Sequence, residues 1–312
     1  MREADRAAAI AARGRSAETA RRWREGAAYR ALAAAFQGCP TDRPGPAADR
    51  AERLLGASDW AGALLAPLIE ALAADPFFEP PFRFSRDGAS TGAVLFDCPA
   101  VSIVASVTNA AALRERSPPA TIVFPGFVTV TRYEKAGGAT LRRWRAEPIQ
   151  PDFGATTAAP CTALPPLELV DGDVHRGDGR VQAQLVGGAR SDMVMLVATV
   201  RAGAEPLMRE YGVADGALVR AASADEGASR TEMLLALLRH AGRADAGPCF
   251  ADATRDAAFH TRWSAMREWL ALDARAAVPR LAEMAASDPN AEVRAAAART
   301  LVHVRERVPC LA

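Results

Sequence analysis

The sequence predicts an α+β protein in three parts: a helical region over residues 1–75, an antiparallel β-sandwich or barrel over 76–222, and an array of helical repeats over 223–312. Three observations predict it. Apolar residues recur at helical spacing before Asp75. Short runs rich in Val, Ile, Phe and Thr, bounded by Gly, Pro, Asn and Asp, fill the middle. The last segment matches itself at an offset of 31 residues, with Pro248 over Pro279, Phe250 over Leu281, Met266 over Ala297 and Leu270 over Leu301, a period that belongs to helical solenoids.

From Ser16 to Phe36 the spacing predicts one helix, with Ala20, Trp23, Ala27, Leu32 and Phe36 on one face and Arg21, Arg22, Arg24 and Glu25 on the other. Cys39-Pro40 and Pro44-Gly45-Pro46 break it. A second helical stretch then carries Leu54, Leu55, Trp60, Leu64, Leu65, Leu68, Ile69 and Leu72. It ends in the run Asp75 to Pro81, where proline removes backbone donors and pushes its predecessor toward extended geometry.

Strands are predicted near 93–97, 101–108, 121–124, 127–134, 139–144, 167–170, 181–186, 193–200 and 217–220. Gly137-Gly138 reads as a hairpin turn, and Asp171-Gly172 and Asp178-Gly179 as further turns. Many short strands with little room for helices between them argue for antiparallel pairing. The Pro- and Ala-rich stretch Ala146 to Pro166 reads as a long loop, a candidate lid over that domain. Ser223, Ala224, Asp225 and Glu226 fit a capping box that opens the next helix, whose apolar face carries Met233, Leu234, Leu237, Leu238 and Ala241.

Composition removes several function classes. Against 37 acidic residues stand 38 basic ones, so no global field gathers polyanions or coats an anionic membrane, and nucleic acid is not the expected partner. From Ser223 onward 12 arginines balance 12 acids, a poor match to a phosphate-gripping surface. No apolar stretch reaches the ~20 residues that span a bilayer. The opening residues lack the apolar core of a secretory signal, so the expected location is cytoplasmic. Cys39, Cys98, Cys161, Cys249 and Cys310 show no C-x-x-C spacing and are expected as free thiols.

The unit running through Ala277, Val278, Pro279, Arg280 and Leu281, then Asp288-Pro289, then Val293-Arg294 with Ala296, Ala297 and Leu301, resembles a HEAT repeat. The resemblance implies that Asp288 and Pro289 cap and open the second helix, that Val293 and Arg294 pack and bridge adjacent units, and that the array presents a surface to a protein or peptide partner. Arg262, Trp263, Arg267, Trp269 and Arg294 are the candidate binding residues, since Arg and Trp dominate interface hot spots. The β domain resembles a cupin or jelly roll in its strand texture and in the Phe124 to Phe127 segment with its Pro125-Gly126 turn. That family implies a metal-dependent oxidoreductase, but its H-x-H with downstream Glu and His does not occur here, and the sequence names no cofactor.

The polar run Asp171 to Asp178 gives the candidate metal ligands His175, Asp173 and Asp178. Calcium-loop spacing fails there, because Arg176 holds the glycine position and no Glu stands at the twelfth. Gly88 to Gly92 matches the G-x-S-x-G string of a nucleophile elbow, but a strand is predicted after it where that elbow needs a helix. The basic-aromatic runs Arg21 to Arg24 and Arg142 to Arg145 read as packed tryptophans flanked by solvated arginines. These observations lead to a protein- or peptide-binding adaptor or regulatory protein working through its helical array. The alternative is a metal-dependent, cupin-like enzyme with its pocket in the β domain. A third class is a small-molecule sensor without chemistry.

Overall fold

The computed structural model describes residues 3–57, 59–150, 153–155, 157–224, 226–256 and 258–307. It begins with helices α1 (Glu3–Glu25), α2 (Ala27–Phe36), α3 (Gly45–Gly56) and α4 (Trp60–Ala74). Strands β1 (Arg83–Arg86), β2 (Ser90–Asp97) and β3 (Val101–Thr108), the short α5 (Ala110–Glu115), and β4 (Thr121–Phe124) follow. Then come β5 (Val128–Lys135), β6 (Thr140–Arg145), β7 (Thr162–Glu168), β8 (Val174–Asp178), β9 (Gln182–Gly187), β10 (Met193–Val200), β11 (Leu207–Gly212) and β12 (Leu218–Ser223). The chain ends in α6 (Glu226–His240), α7 (Gly247–Ala253), α8 (Phe259–Leu272), α9 (Ala274–Ser287) and α10 (Ala291–Arg307). The fold is therefore mixed α+β with antiparallel sheets. Among the described residues no single helix is long and apolar enough to cross a membrane.

Two compact units are formed. The first comprises Met1–Pro119, Phe127–Trp144 and Ala163–Ala204, and the second Ala120–Gly126, Arg145–Thr162 and Glu205–Ala312.

In the first unit a six-stranded sheet runs in the order β1-β2-β3-β10-β5-β8, and a three-stranded sheet in the order β7-β6-β9. The late strand β10 lies between the early strands β3 and β5, pairing Ala198 with Ile103 on one side and with Val130 on the other. Alternation then sorts the side chains. Val101, Ile103, Val128, Val130, Leu196, Ala198 and Val200 point one way, into a core shared with Trp23, Leu32, Phe36, Leu55, Leu64 and Leu68 of α1 to α4. Trp23 also donates from its indole Nε1 to the Leu64 carbonyl at 2.7 Å. Burial of this kind is worth roughly 1.5–3 kcal/mol for each large apolar side chain.

Several local expectations are corrected. The helix read over Ser16 to Phe36 is two helices, because Gly26 takes an extended conformation between them. The polar run Asp171 to Asp178, read as turns alone, contains β8, an edge strand paired to β5. An edge strand with one solvated face tolerates the polar residues that hide it from hydrophobic pattern reading. The Gly137-Gly138 turn exists, with φ of +63° and +65°, yet it joins strands of two different sheets instead of a hairpin. Ser223 ends β12 and α6 starts at Glu226, so Ser223 is a strand residue two positions ahead of the helix's cap position and Glu226 opens the helix instead of standing at its third position; Asp225 lies outside the described residues, as does Cys310.

The second unit joins the small sheet β12-β11-β4 to the helices α6 to α10. Arg209, 2% exposed, sits among the rings of Phe124, Phe153 and Tyr211 and donates to the Glu147 carbonyl. Phe250, Ala265, Met266, Leu281, Met284 and Ala297 pack into one helical core. Of the apolar face read on α6, Leu238 packs at that core's edge while Met233, Leu234 and Leu237 are exposed; Leu235 takes the buried place.

At the turn between α9 and α10 the cap is Asn290, whose Oδ1 accepts from the amides of Glu292 and Val293. Asp288 is not the helix cap expected of it. Its carboxylate instead forms a two-pronged ion pair with Arg262 of α8, at 2.7 and 2.9 Å, the two side chains being 1% and 8% exposed. Burial pushes the Asp288 carboxyl up, but Arg262's hydrogen bonds, the Asn290 amide and the charges of Arg262 and Arg280 outweigh it and hold the group below its ordinary value. This stabilisation is complete above the ordinary carboxylate pKa and drains away as pH falls through the depressed folded value.

Replacing Asp288 by Ala is expected to cost about 3–5 kcal/mol, because Arg262 keeps a buried charge with no carboxylate beside it. Pairing Arg262→Met with Asp288→Leu should recover most of that loss. Denaturant titration of the parent and both variants, followed by circular dichroism, measures the two effects.

Candidate functional site

Since the outward residues of the six-stranded sheet are committed to α1 to α4, the alternate residues form a second face, and its composition is unlike a core. Register aligns Ser102 with Thr199 and Thr199 with Thr129, then Val104 with Val197, Val197 with Thr131, and Thr131 with His175. The rows run straight across β3, β10, β5 and β8, so hydroxyls and one imidazole share this inner face. At one end it is closed by Tyr133, Leu141, Leu169 and Met193, which pack together.

His175 lies on the inner face with its side chain 25% exposed, and its ring meets Tyr133 edge-on at 5.9 Å. Its neighbour Gly177 has no side chain because there is no room for one: a Cβ there would stand 2.1 Å from Nε2 of Gln184, whose amide lies over the strand. On β6, Leu141 packs against Tyr133 and Met193, and Arg143, two residues on, shares its face. Arg143 donates from Nη2 to the Pro165 carbonyl at 2.9 Å, while its buried Nε has no hydrogen-bond partner.

The three candidate metal ligands do not converge. Positions three apart on a strand face opposite ways, so Asp178 falls on the side of Val174 and Arg176, away from His175. Arg176 confirms the direction by pairing with Asp49 of α3 at 2.7 Å. Asp178 is held by Arg180 at 2.9 and 2.7 Å, and that hydrogen bonding keeps its carboxyl low against the opposing push of burial. Asp173 does reach His175, Oδ2 to Nε2 at 3.6 Å, while the same oxygen accepts from the Val170 amide. Among the described residues no group of three or more His, Cys, Asp or Glu is placed to hold a metal. The donor set for the implied metal is thus a His–Asp pair, short of the three protein ligands usual in a catalytic centre.

The candidate binding residues separate as well. Arg262 is bound to Asp288, Trp269 is buried in the helical core, and Arg294 donates to the carbonyls of Asp288 and Pro289 in its own turn. Trp263 and Arg267 remain accessible, both lining a groove in the second unit. Ser90 of the G-x-S-x-G string opens β2 and bonds Thr108, so no nucleophile elbow forms. The stretch read as a loop over Ala146 to Pro166 ends in β7, which starts at Thr162; of its part in the second unit, Phe153 packs against Phe259 and its carbonyl accepts from Asn290.

Sequence reasoning found His175 but missed Thr129, Thr131, Thr199, Gln184, Arg143 and Tyr133. The alternation of Val128-Thr129-Val130-Thr131 was a legible signal for two of them.

No protein-family model matches the chain, and no curated protein matches it. Among solved structures, parts of it are similar to CapF bound to 3-isopropenyl-tropolone, at 10% identity and a TM-score of 0.26 over 39% of this chain and 31% of that one. Ectoine synthase from P. lautus is similar at 14% identity and a TM-score of 0.19, covering 38% and 68% of the two chains. Fe(II)-HppE with (S)-1-HPP is similar at 11% identity and a TM-score of 0.23, covering 49% and 88%. The chain thus spans less than a third of CapF's length.

Tyr133 gives the inner face a measurable marker. Burial disfavours its phenolate and pushes its pKa up to about 12. In an absorbance titration of the phenols, Tyr133 is expected to ionise near that value, and Tyr133→Phe should remove the step. The folded state holds this proton more tightly, so its contribution to stability is full below the unfolded pKa of ~10 and is lost as pH rises through the folded value.

Proposed function

We propose that the first unit is a jelly-roll-type, cupin-like domain that binds a small oxygen-rich molecule on the inner face of its six-stranded sheet. The observation that carries this reading is the polarity of that face: a sandwich interior is ordinarily filled by apolar side chains, whereas Ser102, Thr129, Thr131, Thr199 and His175 line this one. Strand order supports it, since β10 is inserted between β3 and β5 and the order β7-β6-β9 gives the second layer. Hydroxyl groups, the Gln184 amide and the imidazole recognise hydroxyl and carbonyl oxygens, and the free Nε of Arg143 favours a carboxylate.

If the domain is an enzyme, His175 is the group to move a proton, with the Asp173 carboxylate 3.6 Å from its Nε2. The metal-dependent oxidoreductase reading requires donors in addition to this pair.

A panel of polyols, sugars and hydroxy acids screened by thermal shift tests the binding reading. At least one class is expected to raise the Tm of the parent, and His175→Ala and Thr131→Val should abolish that rise while folding normally. A panel without effect, on protein that also releases no small molecule when denatured, would overturn it. Elemental analysis of the natively purified protein decides the metal question in parallel. Iron, zinc and manganese are expected below stoichiometry and unchanged in His175→Ala; stoichiometric metal lost in that variant would put the oxidoreductase reading first.

A further inference from the structure

The second unit contains a groove of about 750 Å³ that the inner-face site does not use. Its walls are two helical stripes. On α8, His260, Trp263, Ser264 and Arg267 occupy positions i, i+3, i+4 and i+7 of one face, and on α10 Glu292, Ala295, Ala296 and Arg299 do the same. Short connections through Asp273 and through Asp288 to Asn290 reverse the chain twice, so α8 and α10 run in the same sense. Arg267 and Arg299 each stand seven residues beyond the first member of their stripe, ~10 Å along the helix, and so mark the same end of the groove.

Those two arginines differ in their pairing from others in the array. Arg239, Arg243, Arg262 and Arg280 are tied to Glu268, Asp245, Asp288 and Glu283. Arg267 and Arg299 are exposed, and among the described residues neither forms an ion pair; Glu232 across the groove touches Arg267 only through space. Ala295 and Ala296 leave the α10 wall without bulk, and Trp263 presents ring surface from α8.

We infer that this groove is a docking site for an acidic peptide segment of a partner protein. Its carboxylates would lie between Arg267 and Arg299, and an apolar side chain would lie against Trp263 and the two alanines. Charge complementarity selects this occupant. Two guanidiniums at one end attract carboxylates, while Glu232 and Glu292 in the same groove and the balance of 12 arginines with 12 acids from Ser223 onward disfavour a continuous phosphate backbone.

The test is fluorescence anisotropy with fluorescein-labelled short peptides rich in Asp, Glu and Leu, compared with counterparts carrying Asn and Gln, and with a labelled single-stranded oligonucleotide. Acidic peptides are expected to bind the full-length protein at least about tenfold more tightly than the neutral ones, the equivalent of one good charge-assisted contact. The double variant Arg267→Glu, Arg299→Glu should lose that preference. Arg305→Glu, on another face of α10, should keep it, which separates the groove from net charge. Equal binding of acidic and neutral peptides, a preference that survives the double reversal, or tighter binding of the oligonucleotide would each overturn the proposal. Circular dichroism of the variants confirms that the exposed substitutions leave the fold intact.

Discussion

Every strand of the six-stranded sheet has two faces, and in this protein the helices take the apolar one. Val101, Ile103, Val128, Val130 and Leu196 are buried against α1 to α4, so the hydrophobic driving force of the first unit is satisfied on the outside of the sheet. The inner face is then released from forming the main core. A smaller apolar cluster around Tyr133, Leu141 and Met193 closes one end, and beside Val104 and Val197 the face carries the hydroxyls of Ser102, Thr129, Thr131 and Thr199 and the imidazole of His175. Polarity there is a consequence of where burial has already occurred.

The second unit solves a different problem, because its helices carry ionic groups into the core. The bidentate Arg262–Asp288 pair costs desolvation of two charges, which the close geometry and the extra hydrogen bonds to the Asp256 carbonyl and the Asn290 amide offset. What the pair adds is register: only one rotation of α8 brings Arg262 to the α9–α10 turn. With Asp288 so engaged, capping passes to Asn290, which explains why a sequence signal for a cap points two residues away from the side chain that performs it.

Much of the architecture was legible because it depends on periodicity. The strand at Val101–Thr108 and those at Thr121–Phe124 and Met193–Val200 stand where alternation and β-branching place them, and the α+β composition follows from the change of period near Asp75 and again after Ser223. Two of the unread strands share a cause. β8 and β11 contain charged or polar residues at half their positions or more, and both pair with distant strands, β8 with β5 and β11 with β4 in addition to its neighbour β12. Non-local hydrogen bonding leaves no local signal. For the same reason the inner face could not be identified from Thr129 and Thr131 alone: alternation separates two faces but does not say which one the helices cover.

The segment Arg262 to Trp269 shows most sharply how position overrides residue type. It offers two arginines and two tryptophans, all of them residues favoured at interfaces, and the sequence alone groups them. The helix divides them instead. Arg262, Ala265, Met266 and Trp269 fall on the stripe that is buried against α9 and its turn, while His260, Trp263 and Arg267 fall on the stripe that borders the groove. With 3.6 residues per turn, a step of three or four stays on a stripe, whereas the single step from Arg262 to Trp263 turns the side chain by ~100°. An arginine on the first stripe is a structural counter-ion, and Arg267 on the second forms no ion pair among the described residues, so the chemistry of this surface is decided by the phase of one helix.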